Sequence, residues 1–163
     1  MRVLLAPALL LFAACSTPSK EVEEFLGPQI VDILQSAERV EALRVDDGTG
    51  DLPPGVPRAA DYAIIKTGPD LTPAQTERLR ALIFDGGNWD FEMAKACEFM
   101  PGVDFRVHSA GRRLDILLCF SCDEWAFWHG ERMRYEDNDP ARSALLRLAR
   151  EAFPDDPALA ELK

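Results

Sequence analysis

Three cysteines carry most of the chemistry that this chain could perform. Cys119-Phe120-Ser121-Cys122 is a CxxC pair, and Cys97 lies upstream in Cys97-Glu98-Phe99-Met100-Pro101-Gly102. His108 and His129, the two histidines of the sequence, fall in the same third of the chain. A redox CxxC needs a helix N-terminus or a neighbouring cation to lower the thiol pKa. Asp123-Glu124 follows this pair instead, and carboxylates raise a thiol pKa. Zinc would need four ligands, and Cys97, Cys119 and Cys122 with His129 or His108 form a possible Cys₃His set. No second CxxC supports it. The third reading is a structural bridge. If residues 119–122 are extended, the two Cα atoms are about 10 Å apart at 3.3 Å per residue, beyond the roughly 7 Å that a disulfide spans. A bridge from Cys97 to Cys119 or Cys122 needs no such contraction, and such a bridge, or simply buried cysteines, is the favoured reading.

A fourth cysteine has a different context. Met1-Arg2 precedes an uncharged run from Val3 to Ala14, too short for the roughly 20 residues of a membrane span and of the size of a signal-peptide core. The run ends Leu11-Phe12-Ala13-Ala14-Cys15. Cleavage after Ala14 by ordinary signal peptidase would place bulky Phe12 at the −3 position. A bulky apolar residue, two small residues and cysteine resemble the lipobox of bacterial lipoproteins, with Phe12 where Leu is usual. The resemblance implies a signal peptide over 1–14, lipidation of Cys15 and a membrane-anchored protein facing the periplasm or exterior of a bacterial cell envelope. Ser16 to Glu24 is polar, so residues 15–24 are expected to be the lipidated cysteine and a flexible tether. Residues 25–163 are then a single domain.

Composition agrees with a tethered globular domain. The 163 residues carry 18 basic and 28 acidic side chains, a formal net charge of −10. Loss of Arg2 with the leader moves it to −11, which excludes phosphate backbones as partners and opposes docking on anionic lipid. The membrane is therefore reached through lipid, and any protein or ligand partner is not encoded in a recognisable motif. The sequence has no GxSxG, HExxH, Walker loop or GxGxxG, and no cofactor is expected.

The elements that must position the cysteines follow from periodicity. Pro28 to Ala37 has helical apolar spacing. Arg39 to Val45 and Tyr62 to Lys66 read as strands, separated by a Gly/Pro-rich loop over 46–60. Asp47-Gly48-Thr49-Gly50-Asp51 places oxygens at alternate positions but lacks the closing glutamate of a calcium loop, so it reads as acidic surface. Thr72-Pro73-Ala74-Gln75 is a capping box for a helix lined by Leu79, Leu82 and Ile83. Val103–His108 and Arg113–Phe120 are strands joined at Ser109-Ala110-Gly111-Arg112, and Trp125–Trp128 is a further strand. Asn138-Asp139-Pro140 opens a last helix, with Glu136 to Asp139 as capping charge. These elements predict an α+β domain: an antiparallel sheet of three to five strands with helices packed on one face.

Period-2 alternation places Leu114, Ile116, Leu118 and Phe120 on one face as core, and Asp115, Leu117 and Cys119 on the other. Cys122 then shares the core parity and is the preferred partner of Cys97. On this reading Leu118→Ala is costly and Asp115→Asn far less so. The cysteine segment from Cys97 to Arg106, Asp115 to Asp123 and Phe153-Pro154-Asp155-Asp156 also resemble a group of uncharacterised bacterial proteins with lipoprotein-type signals, over roughly residues 60–160. That resemblance implies a shared domain and no catalytic residue. The expected role is non-catalytic binding or structure; the alternative is a thiol- or zinc-dependent protein using Cys97, Cys119 and Cys122.

Overall fold

The computed structural model describes residues 17–46, 48, 54–93 and 95–163. The leader, Cys15 and all but Gly48 of the Asp47–Asp51 segment lie outside the described residues. The first helix, α1 (Lys20–Gln35), begins inside the stretch read as tether: Ser19 caps it by accepting from the Val22 amide, and Val22 is buried. Residues Lys20 to Glu24 are therefore domain and not linker. Pro28 cannot continue a preceding turn, and the residue before proline avoids the helical region. Gly27 accordingly adopts φ 76° and kinks α1, so Pro28 opens a second helical segment.

Seven strands follow, all antiparallel to their neighbours: β1 (Arg39–Val45), β2 (Arg58–Ala59), β3 (Tyr62–Asp70), β4 (Val103–Ser109), β5 (Arg112–Cys119), β6 (Glu124–His129) and β7 (Arg132–Asp137). They form one curled sheet in the order β2-β3-β1-β4-β5-β6-β7. This overturns the expectation of three to five strands with helices on one face. Two strands escape the pattern for physical reasons. β2 is only two residues long. β7, Arg132-Met133-Arg134-Tyr135-Glu136-Asp137, is a sheet-edge strand whose charges hide the alternation.

The hairpin β4–β5 turns at Ala110 and Gly111, both at positive φ (49° and 75°), the backbone twist that two-residue hairpins favour. Between β3 and β4, α2 (Pro73–Phe84) is held by the expected capping box: Thr72 Oγ1 accepts from the Gln75 amide at 3.3 Å and Gln75 Oε1 accepts from the Thr72 amide at 2.9 Å. α3 (Arg142–Ala152) and α4 (Pro157–Glu161) close the chain. Asn138 makes no side-chain cap at the 3₁₀ turn before α3, but Asp137 accepts from the Asp139 amide at 2.9 Å and Asp139 lies in the first turn, so the acidic run serves that helical start.

Two cores result, and the second is why a sheet covered by helices on one face does not fit. Leu114, Ile116, Leu118 and Phe120 face the helices together with Phe105, Trp125 and Phe127. Trp89 packs 4.3 Å from Trp125 between ring centroids, so the aromatic strand is core packing. On the opposite face Leu43, Val45, Ala59, Tyr62, Leu117 and Ala126 form a separate cluster with Phe99. The curl brings the β2–β3 hairpin back over this inner face and covers it.

Leu118 has no solvent exposure, so Leu118→Ala is expected to cost about 2–5 kcal/mol in equilibrium denaturation. Met133, 37% exposed on β7, should lose less than about 0.5 kcal/mol on truncation to Ala.

Candidate functional site

The cysteines converge at one end of the sheet. Cys97 and Cys122 are joined as a disulfide, with Cα atoms 5.9 Å apart. Cys122 is reached through the turn of residues 120–123, where Asp123 takes φ 56°, and not through continued strand parity. The expected partner is correct, while the geometry that selects it is a turn. The bridge ties the segment after α2 to the β5–β6 turn, and Lys95 reinforces the tie by donating to the Cys122 carbonyl at 2.7 Å. Cys119 remains a free thiol, buried on the inner face as the alternation predicted, with Sγ 3.1 Å from Ser121 Oγ.

The histidines are elsewhere. Cys119 pairs with Glu124 at the start of β6, and His129 is at that strand's other end, about 16 Å away at 3.3 Å per residue. His129 Nδ1 lies 2.9 Å from the Arg113 carbonyl. His108, opposite Arg113 at the far end of β5, binds Glu41 at 2.8 Å through Nε2. The set Cys97, Cys119, Cys122 and His129 is therefore not brought together. Among the described residues no three His, Cys, Asp or Glu side chains are grouped to hold a metal.

What the fold does gather is a charged network on the inner face. Asp115 is fully buried, contrary to the expectation that it would be cheap to alter. Its Oδ1 accepts from Arg106 Nε at 2.7 Å, and its Oδ2 accepts from Arg106 at 3.2 Å and from the Ala60 amide at 2.8 Å. Arg106 also donates to the Arg58 carbonyl at 2.5 Å. The ion pair thus clasps the β2–β3 hairpin over the face. Asp104, also fully buried, has no hydrogen-bond partner on either carboxylate oxygen. Burial, and then the negative charge of Asp115, hold its carboxyl well above the ordinary carboxylate range, against the weaker pull of Arg106. Tyr62, whose hydroxyl donates to the Phe99 carbonyl at 3.4 Å, is also pushed up, again chiefly by burial. Sequence reasoning missed Asp104, Arg106 and Tyr62. Alternating Val103-Asp104-Phe105-Arg106-Val107-His108 says that Asp104 and Arg106 share a non-helix face, and the hairpin that seals that face comes from 40 or more residues away in sequence.

Beside the clasp a cleft of about 280 Å³ opens between β1, β3 and β4, lined by Glu41, Leu43, Ile64, Lys66, Thr67 and Arg106. Burial works against the Glu41 charge, but hydrogen bonds from His108 and Arg39 hold its carboxyl below the usual range. A second ionic group sits beside the disulfide: Lys95 Nζ binds Asp137 at 2.6 Å and Asp139 at 3.0 Å, and Arg142 Nε binds Asp123 at 2.5 Å. Glu124, buried beside them, is pushed up mainly by burial. Glu41, Lys95, Asp137, Asp139, Asp123 and Arg142 are each engaged by an oppositely charged or hydrogen-bonding neighbour, which suits cohesion.

The arrangement defines a mostly-sheet fold: among the described residues, a seven-stranded antiparallel sheet curled into a half-barrel with four helices, a covered inner face and the Cys97–Cys122 disulfide. No protein-family model matches the chain, and no curated protein or solved structure is significantly similar to it.

Asp104 gives a pH signature. Its folded pKa is raised, so its contribution favours the folded state below the unfolded value near 3.8 and is lost as pH rises above it. Urea titrations of the parent and Asp104→Asn should show the variant gaining relative stability from about pH 4 upward. A difference independent of pH would mean that Asp104 titrates alike in both states. Asp115→Ala, which strands Arg106, should instead cost about 3–5 kcal/mol at pH 7. Loss of the bridge in Cys97→Ser, with a sequence separation of 25, should cost roughly 3 kcal/mol, measured against the oxidised parent.

Proposed function

We propose that this chain is a lipid-anchored bacterial cell-envelope protein with a non-catalytic binding or structural role. The observation that carries the reading is Leu11-Phe12-Ala13-Ala14-Cys15 after a short apolar run, which resembles a lipobox. Lipid on Cys15 adds about 0.8 kcal/mol per buried methylene, and the acidic domain needs no electrostatic help to stay at a membrane. The Cys97–Cys122 bridge supports the same address, because disulfides persist in oxidising compartments. So does the likeness of the cysteine segment to bacterial proteins with lipoprotein-type signals.

The non-catalytic half of the reading rests on the state of the titratable groups. Asp104 is sealed from solvent, Asp115 is committed to Arg106, and both histidines serve ion-pair or backbone contacts. A thiol- or zinc-dependent role through Cys97, Cys119 and Cys122 requires the bridge to open first.

Cys15→Ser is expected to abolish acyl labelling and detergent-phase partitioning while leaving the domain folded. Equal labelling of the two forms would refute the anchor. Elemental analysis of purified protein addresses the other half: stoichiometric zinc lost on Cys97→Ser or Cys122→Ser would replace the non-catalytic reading with the metal-dependent one.

A further inference from the structure

The two edges of the sheet are finished differently. At the β3 edge, β2 pairs with Tyr62 and Ala63, the Ile64 amide donates to the Pro57 carbonyl at 2.9 Å, and Pro69 removes a donor further along. Irregular register between β1 and β3 adds local distortion. Proline, bulges and short covering strands are the usual devices against edge pairing. β7 has no proline, and its pairing with β6 is continuous from Arg132 to Asp137.

The hydrogen-bond parity of β7 identifies which groups it leaves open. The Asn138 amide donates to the Asp123 carbonyl at 2.8 Å, continuing the ladder in which Asp137 faces Glu124. Backbone groups of alternate residues point the same way in an antiparallel pair. Residues 132, 134 and 136 therefore point their amides and carbonyls toward β6, and Met133, Tyr135 and Asp137 point theirs outward. Asp137 confirms the assignment, since its carbonyl accepts from the Asp90 amide at 3.3 Å and its own amide donates to Glu136 Oε1 at 3.0 Å. Asp137 is thus closed. Among the described residues the backbone groups of Met133 and Tyr135 have no partner, and their side chains are 37% and 58% exposed.

The open window is self-complementary. We propose that β7 is a pairing edge through which two copies of this chain join their sheets antiparallel, about a two-fold axis at Arg134. In that register Met133 of each copy faces Tyr135 of the other, and these two pairs exchange four backbone hydrogen bonds. Both side chains lie on the inner-face side of the strand, so the pairs are apolar–aromatic, the kind that stabilises sheets. On the helix side Arg132 faces Glu136 of the second copy, twice. The Arg134 side chains meet at the axis, where like charges are unfavourable, but each guanidinium is drawn away to the Phe25 carbonyl of its own chain. Shifting the two-fold to Tyr135 would oppose Met133 to Asp137, whose outward groups are already closed. Arg132 and Glu136 favour a second copy over an arbitrary extended peptide, because each meets the other in the reversed strand; Glu131 meets Asp137 of the second copy, whose charge Lys95 of its own chain already holds.

Sedimentation velocity of the full chain in mild detergent, over a range reaching on the order of 100 μM, should show a reversible monomer–dimer equilibrium. Tyr135→Pro removes the outward donor and keeps the bonds to β6, since an edge position with its amide outward tolerates proline. It should weaken association about tenfold or more, with an unchanged circular dichroism spectrum. The register is read by cross-linking. Directly opposed residues that do not exchange hydrogen bonds have Cα atoms about 4.5 Å apart, within disulfide reach. Arg134→Cys should give a covalent dimer in a glutathione redox buffer. Arg132→Cys and Glu136→Cys should each fail alone and cross-link when mixed. A chain that sediments as monomer throughout would overturn the proposal without any variant. So would a dimer that Tyr135→Pro leaves intact, or Arg132→Cys cross-linking alone as readily as Arg134→Cys.

Discussion

Arg106 and Asp115 face each other across β4 and β5, and this one pair connects three distant parts of the chain. The carboxylate receives the guanidinium and the Ala60 amide, while the guanidinium also holds the Arg58 carbonyl. Those bonds secure the β2–β3 hairpin over the inner face, together with the Tyr62 hydroxyl on the Phe99 carbonyl. Without that cover the second apolar cluster, Leu43, Leu117, Ala126 and Tyr62, would lie open to water. The charges are removed from water at a desolvation cost, and their mutual geometry and extra hydrogen bonds offset it. A buried pair of this kind does more to fix where the hairpin docks than to raise total stability.

Asp104 is the strained counterpart of that arrangement. It stands two residues from Arg106 on the same face, between Leu43 and Leu117, yet Arg106 is already committed to Asp115. With both oxygens unpartnered and no water access, the carboxyl is disfavoured as an anion. The domain therefore tolerates one unsatisfied acid beside a satisfied one. The disulfide works at the same end of the sheet from outside: it fixes the segment before β4 against the β5–β6 turn, and Phe99 on that segment packs against Tyr62 at 6.4 Å between ring centroids. Clasp and bridge thus hold opposite lips of one covered face.

An open antiparallel sheet has two edges, and the curl deals with one of them. Bringing β2–β3 over the inner face also folds the β3 edge inward, where Pro57 and β2 occupy it. The β7 edge lies at the far side of the order. Among the described residues the backbone bond that closes this edge is at Asp137, through Asp90, where Trp89 and Phe91 are drawn into the aromatic core beside Phe25. The same curl that buries one polar cluster therefore leaves one short stretch of backbone open.

Local chemistry in the sequence determined much of this protein. The capping box at Thr72, the Ala110-Gly111 turn and the apolar parity of Leu114, Ile116 and Leu118 depend on neighbours within a few residues, and each is found where the sequence puts it. Strand parity preferred Cys122 as the partner of Cys97, and that pair is found, although a turn at residues 120–123 and not continued parity brings it there. The kink at Gly27, by contrast, let a helix begin at Lys20 in a stretch that reads as polar linker. The inner face belongs to the tertiary structure alone. Alternation can place Asp104, Arg106 and Asp115 on one side of the sheet, but it cannot say whether that side meets water. The answer comes from a hairpin tens of residues away, and from a curl set by strand twist accumulated across seven strands. Burial, and with it every perturbed acid on that face, is a long-range property that no local pattern encodes.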